Sequence, residues 1–139
     1  MNQLLARLDH DHRRLAQLLR LLEGMLDQFR DGVEPDYELM CELMEYRTDY
    51  ADQVHHPSED LLFERLLEQE GPGHSVLTQL MKQHHTLAQL NRRFRESLEG
   101  IVHEEVLRRD EVERQGRDLI EQLRAHMYLE EEQAFPLAE

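Results

Sequence analysis

Leucine recurs in alternating steps of three and four through the first thirty residues, and a histidine stands at one of the buried positions. The inward set is Leu5, Leu8, His12, Leu15, Leu19, Leu22, Leu26 and Phe29. This is the apolar stripe of a helix packed in a bundle. It ends at Asp31-Gly32-Val33-Glu34-Pro35, where glycine and proline break helical geometry. A second helix is predicted over residues 36–70, with Leu39, Leu43, Tyr46, Tyr50, Leu62 and Leu66 buried and a kink at Pro57 near His55 and His56. A third starts at Ser75 or His74 and buries Leu77, Leu80, His84, Leu87, Phe94 and Leu98. Residues 100–109 read as a connection. Asp110 then caps a last helix, with Glu113 three residues on, carrying Val112, Leu119, Leu123, His126 and Leu129 until Pro136 stops it.

Four such helices joined by short loops predict an all-α, up-down-up-down bundle, one domain over residues 1–139. Thirty acidic side chains against 16 basic ones give a net charge of −14, which repels nucleic acid and anionic lipid. No apolar stretch approaches the roughly 20 residues of a membrane span. The single cysteine, Cys41, permits no internal disulfide and reads as a small buried residue, and the N-terminus lacks the apolar core of a secretory signal. A soluble, cytoplasmic protein is expected.

Nine histidines are what remains to be explained. His12, His84 and His126 face inward on three different helices. Buried together without partners, each imidazole costs a few kcal/mol of desolvation, and a shared metal removes that cost by using the nitrogen lone pairs. Two local pairs sharpen the reading. His55 and Glu59 lie four apart on one helical face, and His126 pairs with Glu130 at four or Glu131 at five. Bundle cores that hold two iron or manganese ions are built this way, with carboxylates between the metals and histidines capping them.

The chain resembles the hemerythrin-like, or HHE cation-binding, domains over essentially its whole length. The resemblance rests on Asp11-His12-Arg13-Arg14-Leu15, on the run from His55-His56-Pro57-Ser58-Glu59 to Phe63, on Gln83-His84-His85-Thr86-Leu87, and on His126 through Glu131 to Phe135-Pro136. It implies His12, His55, Glu59, His84, His126 and Glu131 as metal ligands. The choice of Glu131 comes from lining up Glu131 to Phe135 with Glu59 to Phe63, and Glu130 stays open in its place. Oxygen-carrying members have a second histidine four residues after the first on the third helix. Here that position is Ala88, so His85, His56 or water would have to fill it, or a coordination position stays open.

The cofactor so implied is two iron ions, carboxylate- and oxo- or hydroxo-bridged, with manganese or zinc as alternative occupants. The partners are metal ions and a small diatomic ligand, and the implied function is dioxygen or nitric oxide binding in sensing, storage or stress response. An enzyme, either a di-iron oxidase or an iron-donating repair factor, is the alternative, and a metal-free structural or interaction module a second. The other expectations are bland. His10, His74 and His103 are solvated, Tyr46 and Tyr50 pack with their hydroxyls near the surface, and the runs Glu130-Glu131-Glu132 and Glu104-Glu105 are mostly solvated faces.

Overall fold

The computed structural model describes residues 3–69, 71–102 and 109–138, and among these there is no strand. Helix α1 spans Gln3–Arg30 and buries Leu5, Leu8, His12, Leu19, Leu22, Met25, Leu26 and Phe29. The chain then reverses at Gly32, whose φ of +84° is a left-handed conformation that only glycine adopts without cost. Asp36 caps the next helix, its Oδ1 accepting from the backbone N–H of Leu39 at 3.0 Å. The second rod of the bundle is made of three pieces: α2 at Tyr37–Tyr50, a π turn at Ala51–His55, and α3 at His56–Leu67. Helix α4 runs from His74 to Val102 and α5 from Arg109 to Leu129, followed by a second π turn at Glu130–Ala134 and a 3₁₀ turn at Phe135–Ala138.

Both π turns end two residues before a proline, Pro57 in one case and Pro136 in the other. Proline has no N–H to donate to the carbonyl four residues back, and its ring crowds that carbonyl. Widening the preceding turn relieves the crowding. His56 N–H accordingly donates to Ala51 O, and Phe135 N–H to Glu130 O, each five residues back. The kink expected near His55 is therefore a π turn, a form that gathers at functional sites.

Four departures from the sequence reading follow from these details. In the second rod Met40 and Met44 are the buried pair, each 1% exposed, while Leu39 and Tyr46 are 36% and 48% exposed. Apolar residues occupy two adjacent phases of that helix, so the period alone does not choose between them, and the π turn shifts the face by one residue between its two ends. Helix α4 continues through Val102 instead of yielding to a connection at residue 100, and residues 103–108, including His103, Glu104 and Glu105, lie outside the described residues. Asp110 sits inside the first turn of α5 and not before it. Glu131 and Glu132 are exposed as expected, but Glu130 is fully buried, so the acidic run at 130–132 is a solvated face except at its first residue.

The apolar core is split in two. One cluster, with Leu19, Leu26, Phe29, Met44, Phe94 and Leu119 among its members, fills the end near the α1–α2 turn. The other gathers Leu5, Leu8, Leu62, Phe63, Leu80 and Phe135. Between them lies a layer of imidazoles and carboxylates: on α1, His12 stands between Leu8 and Leu19, and on α4, His84 stands between Leu80 and Leu87. No described helix is long and apolar enough to cross a membrane.

Helix α5 meets α1 and α4 closely at Gly116, where an added Cβ would lie 2.8 Å from Leu26 Cδ1 and 2.8 Å from Phe94 Cζ. Gly116→Val forces both side chains aside, and such overpacking costs about 1–3 kcal/mol. Urea unfolding should show that loss, and a variant as stable as the parent would refute the close packing of α5 at this level.

Candidate metal centre

Six ionisable side chains from all four rods meet in the middle layer: His12, His55, Glu59, His84, His126 and Glu130, none more than 6% exposed. Glu59 is the hub. Its Oε2 lies 3.2 Å from His12 Nε2 and 3.0 Å from His55 Nε2, and its Oε1 lies 3.0 Å from His84 Nε2. Glu130 completes the layer. Its Oε1 is 3.2 Å from His12 Nε2 and 3.3 Å from His126 Nε2, and its Oε2 is 3.6 Å from His84 Nε2. Two groups of donor atoms result, Glu59, His84, His126 and Glu130 in one and His12, His55 and Glu59 in the other, each gathered within 4.8 Å.

Every one of these histidines turns Nε2 inward, and each gives its Nδ1–H to an oxygen of another rod. His55 donates to Asp11 Oδ2 at 2.9 Å and His84 to Asp60 Oδ1 at 2.8 Å. His126 donates to Gln83 Oε1 at 2.7 Å and His12 to Glu131 Oε1 at 3.0 Å. The four acceptors are immediate chain neighbours of His12, Glu59, His84 and Glu130. Each rod thus supplies an inward donor atom and, from the next residue, the acceptor that orients the histidine of the following rod. The hydrogen bonds close into a ring: α1 to the second rod, that rod to α4, α4 to α5, and the turn after α5 back to α1. Tyr50 extends the ring outward, its hydroxyl donating to Asp11 Oδ1 at 2.8 Å.

The two glutamates left open by the sequence have different places. Glu130 is 0% exposed inside the layer, whereas the Glu131 side chain is 43% exposed and meets His12 from outside. His56 is buried and stacks on His84 with ring centroids 4.2 Å apart, while His85 is exposed. His10 is exposed, and His74 is half-buried against Gln69 O. Cys41 is half-buried in α2 against the larger apolar cluster, and burial pushes its thiol up. Asp11, Asp60 and Gln83 were not singled out from the sequence. The available signal was their adjacency to inward residues.

The donor set fits a metal ion. Glu59 Oε1, both oxygens of Glu130, and Nε2 of His84 and His126 are buried without an aligned hydrogen bond. His84 Nε2 and Glu59 Oε1 are close enough for one but are not directed at each other. Orphaned buried polar atoms are costly, and lone pairs converging on a common point are satisfied by a cation there.

Protonation follows the same geometry. Burial alone would lower His12, but the carboxylates of Glu130 and Glu59, each 3.2 Å from its Nε2, outweigh it and raise the imidazole from 6.5 to about 10. Burial is likewise overcome at His84 by Asp60, Glu130 and Glu59, which raise it from 6.5 to about 11. His55 is raised against its burial by Glu59 and Asp11. Burial pushes Glu59 up, yet His12, His55 and His84 hold it well below the usual carboxylate range. Glu130 is lowered because its histidines outweigh burial and the charge of Glu59.

A helical bundle enclosing a buried histidine–carboxylate layer of this kind belongs to the metal-binding class. The family model of the hemerythrin HHE cation-binding domain matches residues 3–138, and the chain belongs to that family. No curated protein and no solved structure was found to match it.

The protonation pattern sets a stability profile for protein stripped of metal by a chelator. The pairing of His12 is fully present below its unfolded value of 6.5 and is lost as pH rises through about 10. That of Glu59 is present above its unfolded value of 4.5 and is lost as pH falls. Melting temperature should therefore be highest between pH 4.5 and 6.5 and decline toward pH 10. Metal binds the unprotonated donors, so loaded protein should lose the alkaline decline. Stripped protein that gains stability from pH 6.5 to 10 would contradict the pairing.

Proposed function

We propose that this chain is a single-domain, cytoplasmic, non-haem di-iron protein with a coordination position open to dioxygen, nitric oxide or a related small ligand, serving sensing, storage or stress response. The observation that carries the reading is the orientation of the four histidines: Nε2 inward toward two shared buried carboxylates, Nδ1–H outward to a fixed acceptor. Solvated or relic histidines have no reason to share that orientation. Histidines that bind metal do, because the outward hydrogen bond selects the tautomer whose inward nitrogen carries a free lone pair.

In this reading His12 and His55 would hold one ion, His84 and His126 the other, and Glu59 and Glu130 would be shared. Mixed imidazole and carboxylate donors without a thiolate suit iron or manganese better than copper(I) or structural zinc. A ferrous pair would supply reducing electrons and a Lewis-acidic position for the diatomic ligand. The protein's own residues hold the donors apart, fix their tautomers and exclude bulk water by the apolar clusters above and below. Glu131 acts through His12, as a positioning residue. Ala88 offers no further donor on α4, so each half has two histidines and the shared carboxylates.

Anaerobic reconstitution of the full chain with ferrous iron tests this. Two irons per chain are expected, with visible charge-transfer absorption once air is admitted. Glu59→Ala and Glu130→Ala should abolish paired loading, whereas Glu131→Ala should keep both ions at an affinity lowered about 10- to 100-fold. Absence of stoichiometric uptake, or uptake indifferent to the Glu59 and Glu130 changes, would overturn the proposal.

A further inference from the structure

Three acceptors in the ring are carboxylates, and the fourth is the neutral amide of Gln83, 2.7 Å from His126 Nδ1. An ionised carboxylate can only accept a hydrogen bond. Asp11, Asp60 and Glu131 therefore permit one arrangement at their histidines, with the proton on Nδ1 and the Nε2 lone pair facing inward. A carboxamide can also donate. Rotated about its terminal bond, Gln83 presents its NH2 group to Nδ1, and His126 then carries its proton on Nε2. An imidazole in that tautomer has no inward lone pair to give a cation. Even unrotated, a neutral acceptor polarises the ring less than a carboxylate and leaves it a weaker donor.

The same side of the centre is open. A groove of about 380 Å³ between α4 and α5 is lined by Gln79, Gln83, Gln122, His126 and Tyr128 among others. Both members of the neutral pair thus face a space large enough for small molecules to enter, and the groove walls offer amide groups with which a rotated Gln83 can exchange hydrogen bonds.

We infer that His126 is the exchangeable ligand of the centre, that Gln83 makes it so, and that a small ligand arriving by the α4–α5 groove takes the position His126 yields. This rests on the metal-centre reading above and specifies which of its ligands moves.

The test is an anaerobic titration of the full chain with cobalt(II), followed by visible absorption and by competition with a chelator of known affinity. Wild-type protein should bind two ions in unequal steps. Gln83→Glu should tighten the weaker step about 10- to 100-fold, and Gln83→Met, similar in length but without an acceptor, should weaken that same step by a comparable factor. Asp11→Asn, which neutralises the acceptor behind His55, should move the other step. In the cobalt-loaded protein, one of the four paramagnetically shifted Nδ1–H resonances should exchange with solvent faster than the rest, and Gln83→Glu should slow it. Melting curves identify any variant that does not fold, and the Gln83→Met titration decides the matter if Gln83→Glu is such a variant. Two bound cobalt ions with the weaker step unmoved, or both steps moved alike, would overturn the inference and leave the centre standing. Failure of wild-type protein to bind cobalt would overturn the centre itself.

Discussion

A closed ring of four hydrogen bonds, each from a histidine Nδ1–H to an oxygen on the preceding rod, is the interaction on which this bundle depends. Two carboxylates and four imidazoles occupy the layer it encloses. Taking any one of them out of water costs several kcal/mol unless partners replace the lost hydration. Inside the layer the carboxylates face the imidazoles at ion-pair distance, although several inward atoms lack an aligned hydrogen bond, and outside it the ring satisfies the second nitrogen of every imidazole. The apolar clusters on either side then keep water out and hold the rods at the spacing the ring requires. Each contribution is conditional on the others: the clusters pack only if the polar layer is neutralised, and the layer is neutralised only while the rods are packed.

The two π turns reconcile this layer with helical geometry. Both His55 and His56 are buried although they are consecutive, which a regular helix with one narrow buried stripe does not readily provide. The turn at Ala51–His55 widens the helix at that level and brings both rings against the centre, His55 edgewise to Glu59 and His56 stacked on His84. After α5 the corresponding turn begins at Glu130, so the carboxylate enters at the end of regular helix and the chain behind it swings Phe135 beneath the His12 ring at a centroid distance of 5.3 Å. In each case the proline two residues on makes the wider turn favourable. The irregularities are thus written into the sequence beside the residues they place.

Most of the fold was legible because leucine periodicity is a direct readout of burial on a helix. The inward positions of His12, His84 and His126 followed from the same rule, as did the grouping of His55 with Glu59. What was not legible was the consequence of an extra residue in a turn. Glu59 and Phe63 are four residues apart across ordinary α-helix, whereas Glu130 and Phe135 are five apart across a π turn. Aligning the two segments on their phenylalanines therefore points to Glu131, one residue past the buried carboxylate. The plain spacing of four shared by His55–Glu59 and His126–Glu130 identifies the buried pair. The choice of Leu39 and Tyr46 over Met40 and Met44 erred for a related reason, since the period of α2 cannot be extrapolated through the π turn that follows it. The roles of Asp11, Asp60 and Gln83 are not legible in the motifs that contain them, because residues adjacent to an inward side chain point away from its face, and only packing of the rods shows that they point at the next histidine.

That adjacency also explains why the two halves of the centre differ. A rod can place one donor inward and one acceptor sideways from neighbouring residues, so the character of each histidine is set by a side chain on another helix. Carboxylates stand behind His12, His55 and His84, while an amide stands behind His126. On the same side α4 carries Ala88 where a further donor could stand, and the α4–α5 groove reaches the His126 ring. A histidine backed by a neutral acceptor and the wider opening coincide on one edge of the layer. Exchange of ligands requires a site to be incomplete somewhere, and a buried site tolerates incompleteness only where solvent or an incoming molecule can satisfy what is left. The α4–α5 edge offers the wider space, whereas the cavity at the opposite edge, beside Asp11 and His55, is only about 40 Å³, and that edge is tied down by the chain of bonds from Tyr50 through Asp11 to His55 and Glu59.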